Sequence, residues 1–359
     1  MSFETFPEQL EAKRLLTAAL AEGPAHAYLF HGPPGVGKRR AAVAFAGELL
    51  GDPPRVERHT HPDLYELDPV GDQILIDEIR ALRRDLHMRP FEASRRVYLV
   101  LSAESMNEAA ADALLKDLEE PPSYAVIVLV ADDLGPLPET IRSRCQLVPF
   151  RRLSESAVRA DLLERAPGLA EDELAAIAKL AAGRLDRAER LLDPQARRRR
   201  DALLAIARSV YAEDDFDPAE AARTLLEGIR ERGADARTEA EELVQALELS
   251  ARDADQRVRR AQRRGERDEL LASLEELAWW YRDLIAVAVG AEAAVVHSDR
   301  LGELSADATR ERIAGAEEAC EVVRETWRSF EEFNIAPQLA LDALFVRLRR
   351  ALTAAHVPA

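Results

Sequence analysis

The chain has 359 residues, 47% of them hydrophobic and 32% charged, with a formal net charge of −17. That length allows two or three domains, and that balance excludes a disordered chain. The acidic sign excludes a protein whose overall charge draws it to nucleic-acid phosphates, so any DNA contact has to come from a local basic patch or from partner chains. No apolar run reaches the ~18–20 residues of a membrane span, and the acidic N-terminal segment does not read as a signal peptide. Two cysteines, Cys145 and Cys320, build neither a disulfide framework nor a zinc cluster and fit a reducing cytoplasm. Few aromatics among abundant Ala, Leu, Glu and Arg predict a largely helical chain.

In chain order, residues 1–150 alternate apolar strands with amphipathic helices. Ala27-Tyr28-Leu29-Phe30 is a short strand run that leads into a glycine-rich loop and a helical stretch from Arg39 to Leu50. Val97 to Leu101 and Ala125 to Val130 are near-continuous apolar runs of the kind buried on both faces of a parallel sheet, and Gln146 to Phe150 is a shorter candidate. Strands alternating with helices predict a doubly wound α/β sheet. After Arg151 the strand signal stops. Short helical segments, broken at Pro167 and Gly183, run to about 210, and the acidic stretch from Ala212 to Pro218 reads as a linker. The rest is expected to be helical to about 355, with Pro337 as its main interruption. The basic cluster Arg257 to Arg264 reads as a solvated helix face before a phosphate stripe, because acids flank it. Trp279, Trp280 and Tyr281 read as packing residues.

Gly32-Pro33-Pro34-Gly35-Val36-Gly37-Lys38-Arg39 fits the phosphate-loop pattern G-x-x-x-x-G-K up to its last position. Such a loop curls backbone N–H groups around phosphate oxygens at a helix N-terminus, and Lys38 supplies a point charge. The hydroxyl that should follow the lysine and ligate magnesium is replaced by Arg39. Arg40 adds charge that favours phosphate and repels a metal. The strand ending at Leu101 is followed by Ser102-Ala103-Glu104, so the expected acid is missing from the strand end. Glu104 reads as the first-turn acid of the next helix before a displaced metal ligand.

These motifs, together with His61-Pro62-Asp63, Ile76-Asp77-Glu78-Ile79-Arg80, the block Ala113 to Pro122 (ALLKDLEEPP) and Thr140-Ile141-Arg142-Ser143-Arg144-Cys145, closely resemble the AAA+ clamp-loader family of bacterial DNA polymerase III. The specific motifs cover residues 1–190, and the resemblance continues by pattern only, through Asn334 to Leu348. It implies an AAA+ P-loop core over 1–150, a small helical lid over 151–212 and an all-α collar used for oligomerisation over 213–359. It implies that Arg144, flanked by Ser143 and Cys145, is an arginine finger reaching a neighbouring subunit's ATP. The alternative is an arginine paired with a carboxylate of its own chain. Arg187, in Gly183-Arg184-Leu185-Asp186-Arg187, is the best match for the family's second sensor.

Departures from the family pattern set the expected role. Arg39, Ser102 and the acidic pair Asp132-Asp133 at the first sensor position all weaken a metal–triphosphate site. The resemblance therefore implies a non-hydrolysing subunit of the delta-prime type, with ATP or ADP held weakly at most and no cofactor required. The alternatives are an active gamma/tau-type motor subunit, which the chain length disfavours, or an AAA+ loader or repair factor outside replication. Partners would be the clamp-loader ATPase subunits and the clamp-opening subunit, with the sliding clamp and primed DNA reached through the complex and no membrane. The interval Gly51 to Thr60 has no cysteine, and His59 with His61 are too few ligands for the family's zinc module, so no metal is expected.

Overall fold

A computed structural model describes residues 3, 6–69, 73–245, 251–332 and 336–353. Asn334, where the C-terminal family block starts, lies outside the described residues. The described chain divides into two compact units, Met1–Glu189 and Arg190–Ala359.

The first unit contains α1 (Leu10–Glu22), β1 (Ala27–His31), α2 (Lys38–Leu50), α3 (Pro53–Glu57), β2 (Leu64–Leu67), α4 (Ile76–Leu86) and β3 (Arg96–Val100). It continues with α5 (Glu108–Glu119), β4 (Ala125–Ala131), α6 (Glu139–Arg142), β5 (Gln146–Pro149), α7 (Glu155–Arg165) and α8 (Glu171–Leu180), and ends within α9 (Leu185–Leu192). The strands form one parallel sheet in the order β2-β3-β4-β1-β5. β4 is buried over all seven residues and pairs with β1 from Ala27↔Ile127 to His31↔Ala131. Alternate residues of each strand feed opposite cores. Tyr28, Phe30, Val97, Leu99, Val126 and Val128 pack with Phe45 and Ala41 of α2 on one face. Leu29, Tyr98, Ile127 and Leu129 pack with Ile79, Leu82 and Leu114 of α4 and α5 on the other. Helices on both faces explain the unbroken apolar runs.

β2 is absent from the strands expected from sequence. Only Leu67 of its four residues is buried, because it is the edge strand, and so no apolar run marks it.

The second unit is helical among its described residues. After the end of α9 it holds α10 (Pro194–Ala212), α11 (Pro218–Gln245), α12 (Ala251–Ala288), α13 (Leu301–Asp307), α14 (Ile313–Glu332) and α15 (Pro337–Thr353). Trp280, Tyr281, Leu274, Leu277, Leu344 and Phe345 lie in one buried cluster. The exposed arginines of the 257–264 cluster include Arg259, paired with Asp255, and Arg264, paired with Asp268, each one turn away on the same helix. The expectation of continuous helix to Pro337 needs correction, because α12 ends before Gly290 (φ 79°) and short 3-10 turns occupy Glu292–Ala294, Ser298–Arg300 and Arg310–Arg312.

The physical reason for the first break is a buried polar cluster. Asp283 accepts the backbone N–H groups of Val296 (3.0 Å) and His297 (2.8 Å), which draws that segment inward instead of onward as helix. The fully buried His297 ring lies 2.9 Å from both Asp283 Oδ2 and Glu276 Oε2, with its edge toward Trp280. Removing one partner of a buried charged group leaves the others uncompensated. His297→Ala, which takes the shared ring partner from the buried Asp283 and Glu276 carboxylates, should therefore destabilise this unit by about 3–5 kcal/mol. Urea unfolding followed by Trp fluorescence measures the loss, and a midpoint equal to that of the parent chain would contradict it.

Candidate functional site

The loop between β1 and α2 lies at the carboxyl edge of the sheet, with the ends of β4 and β5 on either side of it. Ligands of open α/β sheets bind in such a crevice. The loop leaves β1 at Gly32 (φ 140°), where a Cβ would come within 2.2 Å of the Phe150 carbonyl oxygen. At Gly35 (φ 69°) a Cβ would stand 1.7 Å from Asp186 Oδ1. Gly37 (φ 94°) is the N-cap of α2, and Lys38 begins the helix.

Lys38 is 4% exposed, and each of its three ammonium protons has an oxygen to meet. It donates to the carbonyls of Gly32 and Pro33 and forms an ion pair with Asp132 Oδ1 at 2.6 Å. Asp132 follows the last residue of β4, so the central strand delivers a carboxylate to the phosphate lysine. Asp186 lies against Gly35, and the backbone N–H of Leu185 donates to the Gly35 carbonyl at 2.7 Å. Burial pushes the Asp186 carboxyl up, but the Arg184 guanidinium and the Arg187 N–H hold it below its ordinary range. Arg187 is buried beside it.

Arg39 points to the sheet edge, where it pairs with Glu66 Oε1 (2.7 Å) and Asp68 Oδ2 (3.2 Å). Arg40 pairs with Asp161 (2.6 Å) and Glu189, so the expectation that its charge favours a bound phosphate needs correction. Its guanidinium is neutralised by acids of α7 and α9.

Glu104 is a first-turn acid, as expected, but of a 3-10 turn ahead of α5. The chain leaves β3 through Ser102 in the left-handed region (φ 53°), then forms a 3-10 turn, Ala103–Ser105. Glu104 is the first-turn acid of that turn, and it also lies within electrostatic reach of Asp132 and Lys38. Burial, then the like charge of Asp132, pushes its carboxyl up to about 7. Its Oε2 is buried without a hydrogen-bond partner.

Arg144 follows the four-residue α6. Its Nη1 donates to the Thr140 carbonyl (2.8 Å), and its Nη2 forms an ion pair with Glu119, the last residue of α5. The pairing with a carboxylate of its own chain is thus present, on a guanidinium that stays 34% exposed. Ser143 Oγ donates to the same Thr140 carbonyl. Burial pushes the Cys145 thiol up to about 12, which makes it a packed and unreactive group. His59 pairs with Glu66 (2.5 Å), whereas the buried His61 accepts the Asp63 N–H and faces Glu92, so the two rings do not converge.

The sequence reading missed three residues of this region. Asp186 and Glu119 sit in recognised blocks but carry no signal of what they touch. Asp63 is buried and accepts the backbone N–H groups of Phe91, Glu92 and Ala93, which fixes the turn before β3 and lowers its pKa despite burial.

A parallel sheet of this order with a G-x-x-x-x-G-K loop after β1 defines an AAA+ P-loop module. Comparison with known proteins narrows the class. The family described as DNA polymerase III, delta subunit, matches residues 8–154. The chain is 36% identical over 152 residues to the DNA polymerase III subunit delta' of Bacillus subtilis, covering 39% of this chain and 46% of that protein. It is 32% identical over 198 residues to the tau subunit of the same organism, covering 50% of this chain and 35% of that one. A solved DNA polymerase III gamma subunit-related protein of Thermotoga maritima aligns with a TM-score of 0.45 at 18% identity, covering 95% of this chain and 99% of the other. The chain spans about half or less of the length of these curated relatives. Over its P-loop module the chain is similar to the delta' and tau subunits of DNA polymerase III. Among the described residues no helix is long and apolar enough to cross a membrane.

The raised carboxyl of Glu104 has a consequence for stability. An acid whose folded pKa lies above its unfolded value binds more protons when folded, so it costs nothing at low pH and its penalty grows as pH rises from about 4.5 to about 7. Glu104→Gln should flatten that part of the stability–pH curve and stabilise the first unit above pH 7 by at most about 3 kcal/mol. Chemical denaturation at pH 5 and pH 8 checks it; an equal effect at both would remove the titration of Glu104 as the cause.

Proposed function

We propose that the chain is a non-motor clamp-loader subunit of the delta-prime type, acting in a complex that loads a sliding clamp onto primed DNA. Its own ATP site is degenerate, and Arg144 is given in trans to a neighbouring ATPase subunit. The observation that carries this reading is the state of Lys38, whose three protons meet two loop carbonyls and Asp132. A triphosphate has to displace that carboxylate and then share the site with Asp132 and Glu104. Arg39, turned to Glu66 and Asp68, offers no hydroxyl for magnesium. In this reading the core spans 1–150, the lid 151–212 and the collar 213–359. Arg187 serves the lid side of the site, the complex is cytoplasmic, and the partners are the motor and clamp-opening subunits.

A second reading, an active motor subunit, draws support from the similarity to the tau subunit and from Glu104, whose carboxylate lies near Lys38. Hydrolysis by the purified chain in the presence of magnesium separates the two. We expect no turnover above that of Lys38→Ala. Magnesium-dependent turnover lost in Lys38→Ala would instead establish the motor. Asp132→Asn, which frees the lysine, should tighten ADP binding by about tenfold or more, equivalent to ~1.4 kcal/mol, in a titration calorimetry comparison with the parent chain. In the assembled complex, Arg144→Ala should remove turnover at the one adjoining site, by about 10³-fold at that site, while assembly by gel filtration is unchanged.

A further inference from the structure

Two motif blocks, Leu118-Glu119-Glu120-Pro121-Pro122 and Ser143-Arg144-Cys145, lie some distance apart in sequence and meet at one ion pair. We propose that Glu119 is a positioning residue for Arg144, holding its guanidinium at the subunit edge in the orientation used toward a neighbour's phosphate. The inference rests on the reading of Arg144 as a trans arginine finger.

Glu119 is an unusual place for an acid on local grounds. It ends α5, where a carboxylate opposes the helix dipole, and Pro121 and Pro122 prevent the helix from continuing past it. A cation beside it removes that conflict. Arg144 supplies this cation, and it also donates to Thr140, a carbonyl of the short helix α6. The guanidinium thus bridges α5 and α6. Held by Thr140 alone, it would be tied only to the short turn that precedes it, with its long side chain free to sample other rotamers.

The bond pattern leaves the reactive face usable. Arginine has five N–H donors in a planar fork. The contacts to Thr140 and Glu119 use one on each terminal nitrogen, which leaves Nε–H and the second proton of each terminal nitrogen for phosphate oxygens. The carboxylate is 49% exposed, so the pair is solvent-screened and does not cancel the guanidinium charge as a buried partner would. Orientation is therefore retained at small electrostatic cost. The neighbouring Glu120, also exposed, is the natural control.

The test uses the full clamp-loader complex assembled with this chain as parent, Glu119→Ala, Glu119→Gln, Glu120→Ala, Arg144→Ala, and the Glu119→Ala/Arg144→Ala double variant. Glu119→Ala should slow the adjoining ATP site about three- to tenfold, with KM for ATP unchanged and assembly intact. Glu119→Gln, which keeps an acceptor oxygen, should fall between Glu119→Ala and parent, and Glu120→Ala should match parent. The double variant should be no slower than Arg144→Ala, because Glu119 acts only through Arg144. A slower double variant, an unchanged Glu119→Ala complex beside a slowed Arg144→Ala complex, or a faster Glu119→Ala complex would each overturn the positioning role. Unchanged turnover in Arg144→Ala itself would overturn the finger reading, and this inference with it.

Discussion

β4 sets the upper edge of the sheet. It is the longest strand, buried over its whole length between β1 and β3, and its register with both neighbours leaves no slack. A slip of one residue would turn Val126, Val128 and Val130 from one core to the other, which the packing of α2 on one side and α4 and α5 on the other forbids. The position of Asp132, one residue past that strand, is therefore as firmly determined as the strand itself. The glycine-rich loop from β1 has to share its space with that carboxylate.

Around this point the site compensates its charges internally. Lys38 meets Asp132, Arg39 meets Glu66 and Asp68, and Arg40 meets Asp161 and Glu189. The start of α2, just after the glycine-rich loop, carries a cation at each of three successive positions, and each cation has a carboxylate of the same chain. Glu104 is the group left in tension, with burial and Asp132 both acting against its ionisation. Arg144, like Arg39, is paired at the protein surface and stays partly exposed, whereas Lys38 is buried.

The strands of the central sheet were legible because burial on both faces makes them continuous apolar runs, and the loop was legible because its glycines sit at fixed spacing. β2 was not, since an edge strand with three of its four residues half-covered leaves no pattern. The break after α12 was hidden for a different reason. It depends on Asp283 drawing in Val296 and His297, a contact that no local periodicity records. The same limit applies at the site. Asp132 was visible as an acid in the wrong place, but its pairing with Lys38 joins the end of β4 to the start of α2, and the approach of Asp186 to Gly35 joins the loop to a helix far along the chain. Glu104 was visible as a first-turn acid, but its orientation depends on the left-handed Ser102.

The contact between Gly35 and Asp186 gives the loop's sequence signature a second, structural use. Any side chain at position 35 collides with Asp186, and any neutral residue at position 38 leaves Asp132 without its cation. Both hallmark residues of the loop thus have a structural partner within the chain, apart from any nucleotide. Gly35 and Lys38 would keep those two contacts even in a chain that made no use of the loop.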